Sequence, residues 1–388
     1  MFISSRPVRL RYQILLFTLT RTLINIAYRI VYPFLGVIAR GLGVDVEAVA
    51  LAITARSLLG FFGPVFGSLA DSRGRRIALL AGLGLVTGGV LLPGLWPGYA
   101  ALFLMLLAVG VGKIIYDTAM QAYIGDRVHY ARRGLAIGLT ELSWSAAFLV
   151  GMPLAGWLIA QAGWQAPFPW LAALMLAAAI LLWRVVPADG GGGAAHPSFR
   201  QGLQIVMANR PALAGLTISL LISLGNELVN IVFGLWMEDS FGLQIAGLGA
   251  AAVVIGIAEL GGEGLVVGLA DRVGMRRAAA LGIGGSMIAA LMLPVLGVSL
   301  AGGMVGLFLF FITFEFTIVT TIALMTEMAA GARATLMAGN VAFHSIGRSL
   351  GALLGPALFT YGIAASSIAA ALINLAAMAV LLLFVRRR

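Results

Sequence analysis

The chain has 388 residues, 61% of them hydrophobic and only 10% charged, with a mean hydropathy of +1.03. A soluble domain carries about 25% charged residues, so this composition excludes a surface wetted all round. The net charge of +10 would fit a nucleic-acid binder. However, nearly all basic residues outside the apolar runs fall on one side of them, the positive-inside pattern of a membrane protein, and nucleic acid is set aside as a partner.

Apolar runs long enough to cross a ~30 Å hydrocarbon layer recur from end to end. They are continuous rather than alternating, which disfavours a transmembrane barrel. The fold class expected is therefore an all-α polytopic membrane protein. The runs predict twelve spans at 13–37, 47–68, 77–96, 99–123, 135–160, 166–186, 211–236, 244–268, 278–298, 301–327, 335–360 and 364–385. The basic start, Arg6 to Arg11, precedes a run that is too long for a signal peptide and contains Arg21 and Arg29, so it reads as a retained first span. Minimal connections such as Trp96-Pro97-Gly98 tie neighbours into antiparallel hairpins. The glycine-rich stretch from Pro187 to Pro197 is a flexible linker. It divides the chain into a six-helix bundle at 1–188, a cytoplasmic linker at 189–208 and a second bundle at 209–388, with both termini cytoplasmic. Residues 198–204 are expected to form a short surface helix. The sequence has no cysteine, which removes disulfides and thiolate metal sites. Neither His-Glu-x-x-His nor Gly-x-Ser-x-Gly is present, so no catalytic, metal or cofactor site is expected and the chain is not read as an enzyme.

One hinge occurs twice. Gly67-Ser-Leu-Ala-Asp71-Ser-Arg73-Gly74-Arg75-Arg76 follows span 2, and Gly268-Leu-Ala-Asp271-Arg272-Val-Gly274-Met-Arg276-Arg277 follows span 8. A polar hinge repeated at matching places in two halves marks a duplicated membrane domain. With six spans, a linker and six more, the sequence resembles the major facilitator superfamily of secondary transporters over essentially its whole length. The resemblance implies two pseudo-symmetric bundles that rock about a central site. It also implies a conformational latch made of Gly67, Asp71, Gly74, Arg75 and Arg76, echoed by Asp271, Gly274 and Arg276. Asp71 would sit near the start of span 11 and Asp271 near the start of span 5, where the positive end of a helix dipole favours a carboxylate. Val267 and Met275 depart from the pattern, so the first copy is expected to latch more strongly. The competing reading is that these arginines only enforce topology.

A charge at mid-bilayer costs about 2.5–3.5 kcal/mol on insertion scales, so each needs a reason. The resemblance implies that spans 1, 4, 7 and 10 line the cavity, that 2, 5, 8 and 11 join the halves, and that 3, 6, 9 and 12 face lipid. Spans 3, 9 and 12 carry no charge, and span 6 only Arg184 at its end. Polar residues stack at four-residue steps on the others: Arg21, Asn25 and Arg29 on span 1; Lys113, Asp117 and Gln121 on span 4; Glu259 and Glu263 on span 8; Asn340, His344 and Arg348 on span 11. The first half is mainly basic inside and the second mainly acidic, which suits a zwitterion or lets the halves grip each other. Counting about 1.5 Å per residue places Arg21, Lys113, Asp117, Glu141, Glu259, Glu263 and His344 toward the cytoplasm. Glu227, Arg29 and Arg56 fall nearer the outside, with Glu315 and Arg348 between.

Two carboxyls one turn apart in low dielectric do not both ionise, so Glu259 and Glu263 are the first choice for proton coupling unless Arg348 or His344 neutralises one. Glu227 and Glu315 are rivals, with His344 and Arg348 as accessory groups. Substrate contacts are expected from Asn25, Tyr28, Arg29, Tyr32, Lys113, Asp117, Asn226, Glu227, Asn230, Phe314 and Glu315. Each has a plain alternative as a satisfied packing or salt-bridge residue. The drug–proton antiporter branch has two further signatures, matched poorly by Lys113-Ile-Ile-Tyr116-Asp117 and Gly151-Met-Pro153-Leu-Ala-Gly156. The leading expectation is proton-coupled efflux of a small amphipathic or charged compound by a monomer in the inner membrane, its partners being substrate, protons and lipids. Import or translocation of a lipid or organic anion is the alternative, and a non-transporting sensor or scaffold the next.

Overall fold

The computed structural model describes residues 10–63, 74–188, 199–329 and 332–385. Every regular element among them is helical. Among the described residues, nine stretches are long and apolar enough to cross a membrane, and they coincide with nine of the expected spans, namely 3–10 and 12. The other three are broken, more polar, or extend past the described residues. Span 2 is Val46–Leu58 followed by a 3₁₀ turn, Leu59–Phe62. Span 11 is Arg333–Phe359, whose interior holds Asn340, His344 and Arg348. Span 1 is Leu10–Arg29 and, after a turn, Leu35–Leu42.

The break in span 1 has a local cause. Pro33 cannot donate to the helical ladder and disfavours helical backbone at the residue before it, and the ladder gives way to turns after Arg29. Span 7 breaks at the corresponding place, between Arg210–Asn230 and Phe233–Phe241. Both spans close on a glycine at φ 64°, Gly43 and Gly242, a left-handed conformation that glycine adopts without strain. Both therefore run about one turn further than the expected ends at 37 and 236.

The two halves repeat one packing. Span 3 (Arg75–Leu95) lies against spans 4 (Tyr99–Arg127) and 6 (Pro167–Val185), as span 9 (Met275–Leu296) lies against spans 10 (Leu300–Met325) and 12 (Ile363–Phe384). The halves meet where span 2 packs on span 11 and span 5 on span 8. Span 5 is Tyr130–Ala146, a π-helical turn Ala147–Gly151, and Met152–Ala162. Span 8 is Ile245–Leu265 with a π-helical turn at Val266–Ala270. Small residues allow the approach. A Cβ on Gly249 would stand 2.5 Å from the Met152 carbonyl oxygen, and one on Gly234 would overlap the Pro33 carbonyl. Spans 6 and 12 turn large apolar side chains outward, among them Trp170, Leu174, Leu372 and Leu383, a belt that only lipid covers well. The surface helix after the linker is Phe199–Ala208, packed on the start of span 11.

Candidate functional site

A two-lobed cavity lies between the halves on the side of the chain termini. One lobe, about 540 Å³, is lined by Tyr28, Arg56, Ser57, Lys113, Asp117, Gln121 and residues of span 11. The other, about 520 Å³, is lined by Glu141, Trp144, Glu263, Phe314, Glu315, His344 and Arg348, with apolar residues of spans 8 and 10. A throat of about 220 Å³ joins them, sharing Tyr28, Lys113 and Asp117 with the first lobe and Trp144, His344 and Arg348 with the second.

The first lobe is basic, with Lys113 neutralised and Arg56 without an ion pair among the described residues. Arg21 reaches Asp117 at 3.0 Å and Glu141 at 2.8 Å, and Lys113 reaches the other Asp117 oxygen at 2.7 Å. Lys113 also donates to Asn25 Oδ1 at 2.7 Å, and Asn25 Nδ2 donates to Ser143 at 3.1 Å. The four-residue stacking thus brings Arg21 and Asn25 of span 1 and Lys113 and Asp117 of span 4 into one network, in which the Asp117 carboxylate between two cations offsets their burial. Above it, Arg56 stacks on Tyr28, its guanidinium carbon 3.7 Å from the ring centre, and donates to the Tyr28 carbonyl and to Tyr32 Oη. Arg348 of the second half also donates to Tyr32 Oη, at 3.2 Å, and pairs with Glu227 at 3.1 Å. Asn230 donates to Glu227 at 3.1 Å.

The acidic lobe is different. Glu263 and Glu315 have no hydrogen bond or ion pair among the described residues. Their closeness depends on Gly262, where a Cβ would stand 2.6 Å from Glu315 Cβ, so only a bare backbone lets span 10 come this near. Glu259, one turn from Glu263, is fully committed. It takes a bidentate pair from Arg29 at 2.6 and 2.9 Å and a bond from Trp144 Nε1 at 3.1 Å. Arg29 is 3% exposed and Glu259 4%, and the guanidinium also sits 3.5 Å from the Phe148 ring centre. This pair crosses the halves. A second crossing pair, Arg40 with Glu238, lies at the outer rim and is largely solvent-exposed on the arginine side.

A family model described as Major Facilitator Superfamily matches residues 17–332. The chain belongs to that superfamily. Among its relatives, the MFS-type transporter YwfA of Bacillus subtilis is 31% identical over 140 residues, covering 36% of this chain and 34% of YwfA. The inner membrane transport protein YdhP of Escherichia coli is 27% identical over 184 residues, 47% of each chain. The human vesicular acetylcholine transporter is 30% identical over 162 residues, 42% of this chain and 30% of that protein. The chain thus spans about a third to a half of the length of these relatives. A bacterial homolog of the human lysosomal transporter Spinster, solved inward-facing and unoccupied, superposes with a TM-score of 0.79 at 16% identity, covering 98% of this chain and 97% of that one. That likeness concerns the superfamily fold alone.

The residues picked from the sequence divide by position. Tyr28, Lys113, Asp117, Phe314 and Glu315 line the cavity, as do Glu263, His344 and Arg348. Asn25, Arg29, Tyr32, Asn226, Glu227 and Asn230 stand behind the wall, all at most 5% exposed. The depth count put Arg29 nearer the outside than Glu259, and that is corrected by their contact. Span 1 runs to Leu42, so Arg29 sits deeper than the expected end at 37 implied. The partner that neutralises Glu259 is Arg29, rather than Arg348 or His344. His344 instead shares a hydrogen bond with Ser223.

Of the latch residues, Gly67 and Asp71 and the side chain of Asp271 lie outside the described residues. Gly74 and Gly274 start spans 3 and 9 at φ 90° and 87°. Arg75 pairs with Asp126 at 3.3 Å, and Arg76 donates to the Trp183 carbonyl at the end of span 6. Arg276 donates to the Val385 carbonyl just past span 12, at 2.6 Å. The repeat therefore places a cation on the carbonyl end of the last span of each half, which the helix dipole favours. Trp144 and Arg56 are cavity residues absent from the sequence-based selection. The signal for Trp144 was its spacing, three residues after Glu141 and four before Phe148 on a span that joins the halves.

Proposed function

We propose that this protein is a proton-coupled secondary transporter that exports a small charged or amphipathic compound by alternating access. Residues 1–188 and 209–388 are the two rocking halves, and the terminal side, rich in arginine, is cytoplasmic at the inner membrane. The observation that carries the reading is the acidic lobe. Glu263 and Glu315 face a membrane-embedded cavity and have no ion pair among the described residues, the Arg348 of the same lobe being paired with Glu227, and such carboxyls exchange a proton or bind a solute. Trp144 and Phe314 beside them offer aromatic faces, so an organic amine fits this lobe by charge and by cation–π contact. The matching segment of the vesicular acetylcholine transporter, a protein named for a quaternary amine, supports that choice. Proton binding at one carboxyl and amine binding at its neighbour would compete, and competition for one site couples the two fluxes.

Purified protein in liposomes, given an inward-acid or inward-alkaline pH gradient, tests this with acetylcholine, tetraphenylphosphonium, a phosphocholine zwitterion and an organic anion as probes. Gradient-driven movement of a cation that fails in Glu263→Gln or Glu315→Gln is the expected outcome. Full gradient-driven transport by both variants would remove these carboxyls from the coupling. The basic lobe, with Arg56 and Lys113 in its wall, favours one second reading, translocation of an anion or phosphate-bearing headgroup, and anion transport in the same assay would select it.

A further inference from the structure

We propose that Trp144 is the positioning residue that keeps the Arg29–Glu259 pair closed, so that one indole in the cavity throat sets whether the two halves stay locked. The inference rests on the alternating-access reading above. Trp144 touches the pair in three ways. Its Nε1–H donates to Glu259 Oε1 at 3.1 Å, its carbonyl accepts from Arg29 Nη1 at 3.0 Å, and its ring centre lies 4.1 Å from the Arg29 guanidinium carbon. Phe148, one turn further along span 5, covers the same guanidinium. Span 5 is thus the clamp and Trp144 its moving part, since Glu259 takes no hydrogen bond from any other described residue outside Arg29.

The same ring is also cavity wall. Trp144 lines the throat and the acidic lobe, with Lys113 Nζ 5.6 Å and the Arg348 guanidinium 5.9 Å from its centre. A solute seated in the throat meets the indole whose edge donates to Glu259. An indole is one rigid plate, and a hydrogen bond weakens steeply once its angle falls below about 120°. Tilting the plate to seat a solute therefore withdraws the N–H from Glu259 and leaves the pair held by Arg29 alone. The π-helical turn Ala147–Gly151 begins three residues later, and such turns are frequent where a helix serves function rather than span length.

The chain has no cysteine, so a cysteine pair can be introduced cleanly at Glu47 and Gln244, exposed at the outer ends of spans 2 and 8. Spin labels there report separation of the halves by pulsed electron resonance in nanodiscs, with no substrate needed. Trp144→Phe keeps an aromatic plane beneath Arg29 and deletes the donor together with one of the two fused rings, while 1-methyltryptophan at the same position keeps both rings and blocks the N–H. Trp144→Phe should raise the population with separated outer ends several-fold over the parent. In a Glu259→Gln background the same change should have a much smaller effect, because the amide oxygen left there is only a neutral acceptor and the ion pair it steadied is already gone. A Trp144→Phe distribution identical to the parent's would overturn the proposal. So would independent, additive effects of the two substitutions. If Trp144→Phe does not purify folded, 1-methyltryptophan at position 144, which blocks the N–H and keeps the plate, makes the same measurement. The readout involves no transport, so failure of the liposome assay and failure of this one are distinguishable.

Discussion

Glu259→Gln perturbs the molecule at a buried ion pair that crosses the halves. The substitution keeps shape and removes the charge that Arg29 meets at 2.6 and 2.9 Å. At an effective dielectric constant of ~20, two charges ~3 Å apart attract by about 5 kcal/mol. Arg29 keeps the Trp144 carbonyl and two aromatic faces, which offset part of the loss at up to about 2 kcal/mol. The net cost to this conformation is then about 3 kcal/mol, at the low end of what breaking a buried pair costs. If the pair exists only when the outer ends are closed, the closed-to-open ratio falls roughly a hundredfold, since 1.4 kcal/mol is about one decade. Distance distributions from labels at Glu47 and Gln244 read that ratio directly. Outer-end distances unchanged from the parent would refute the reasoning, for the pair would then not be what separates the two states. Arg29→Lys serves as a control, because an ammonium keeps the charge but cannot make the bidentate contact.

Three further outcomes follow from the geometry. Glu315→Gln should abolish movement driven by a pH gradient while leaving probe-for-probe counterflow intact, and equal loss of both in liposomes would make Glu315 a substrate contact only. Gly249→Ala must push span 8 off the Met152 carbonyl, and overpacking against backbone costs about 1–3 kcal/mol. Labels at the outer ends should therefore show it favouring separated halves, whereas retention of the parent distances would mean that span 5 yields locally. Arg40→Ala removes a rim pair whose arginine is 61% exposed. Exposed pairs contribute at most about 1 kcal/mol, so the shift should stay below about fivefold and vanish at high salt. A larger effect would make the rim a true outer gate.

The sequence by itself determined that the chain crosses a membrane many times, since 10% charge cannot wet a surface. It also determined that two halves repeat, from the hinge at Asp71 and again at Asp271, and that the interior charges avoid spans 3, 9 and 12. These are properties of composition and period, and burial in lipid enforces them residue by residue. Which charge meets which was decided only by the tertiary structure. Glu259 and Glu263 look equivalent on one helix face, yet Glu259 is taken by Arg29 and Glu263 faces the cavity unpaired. The difference is that Arg29, at the end of the first helix of span 1, lies level with Glu259 of a helix from the other half. The spacing of Trp144 from Glu141 and Phe148 marked its helix face but not its partner, for the same reason. An aromatic residue on an apolar span becomes a donor to a buried carboxylate only once two bundles are brought face to face.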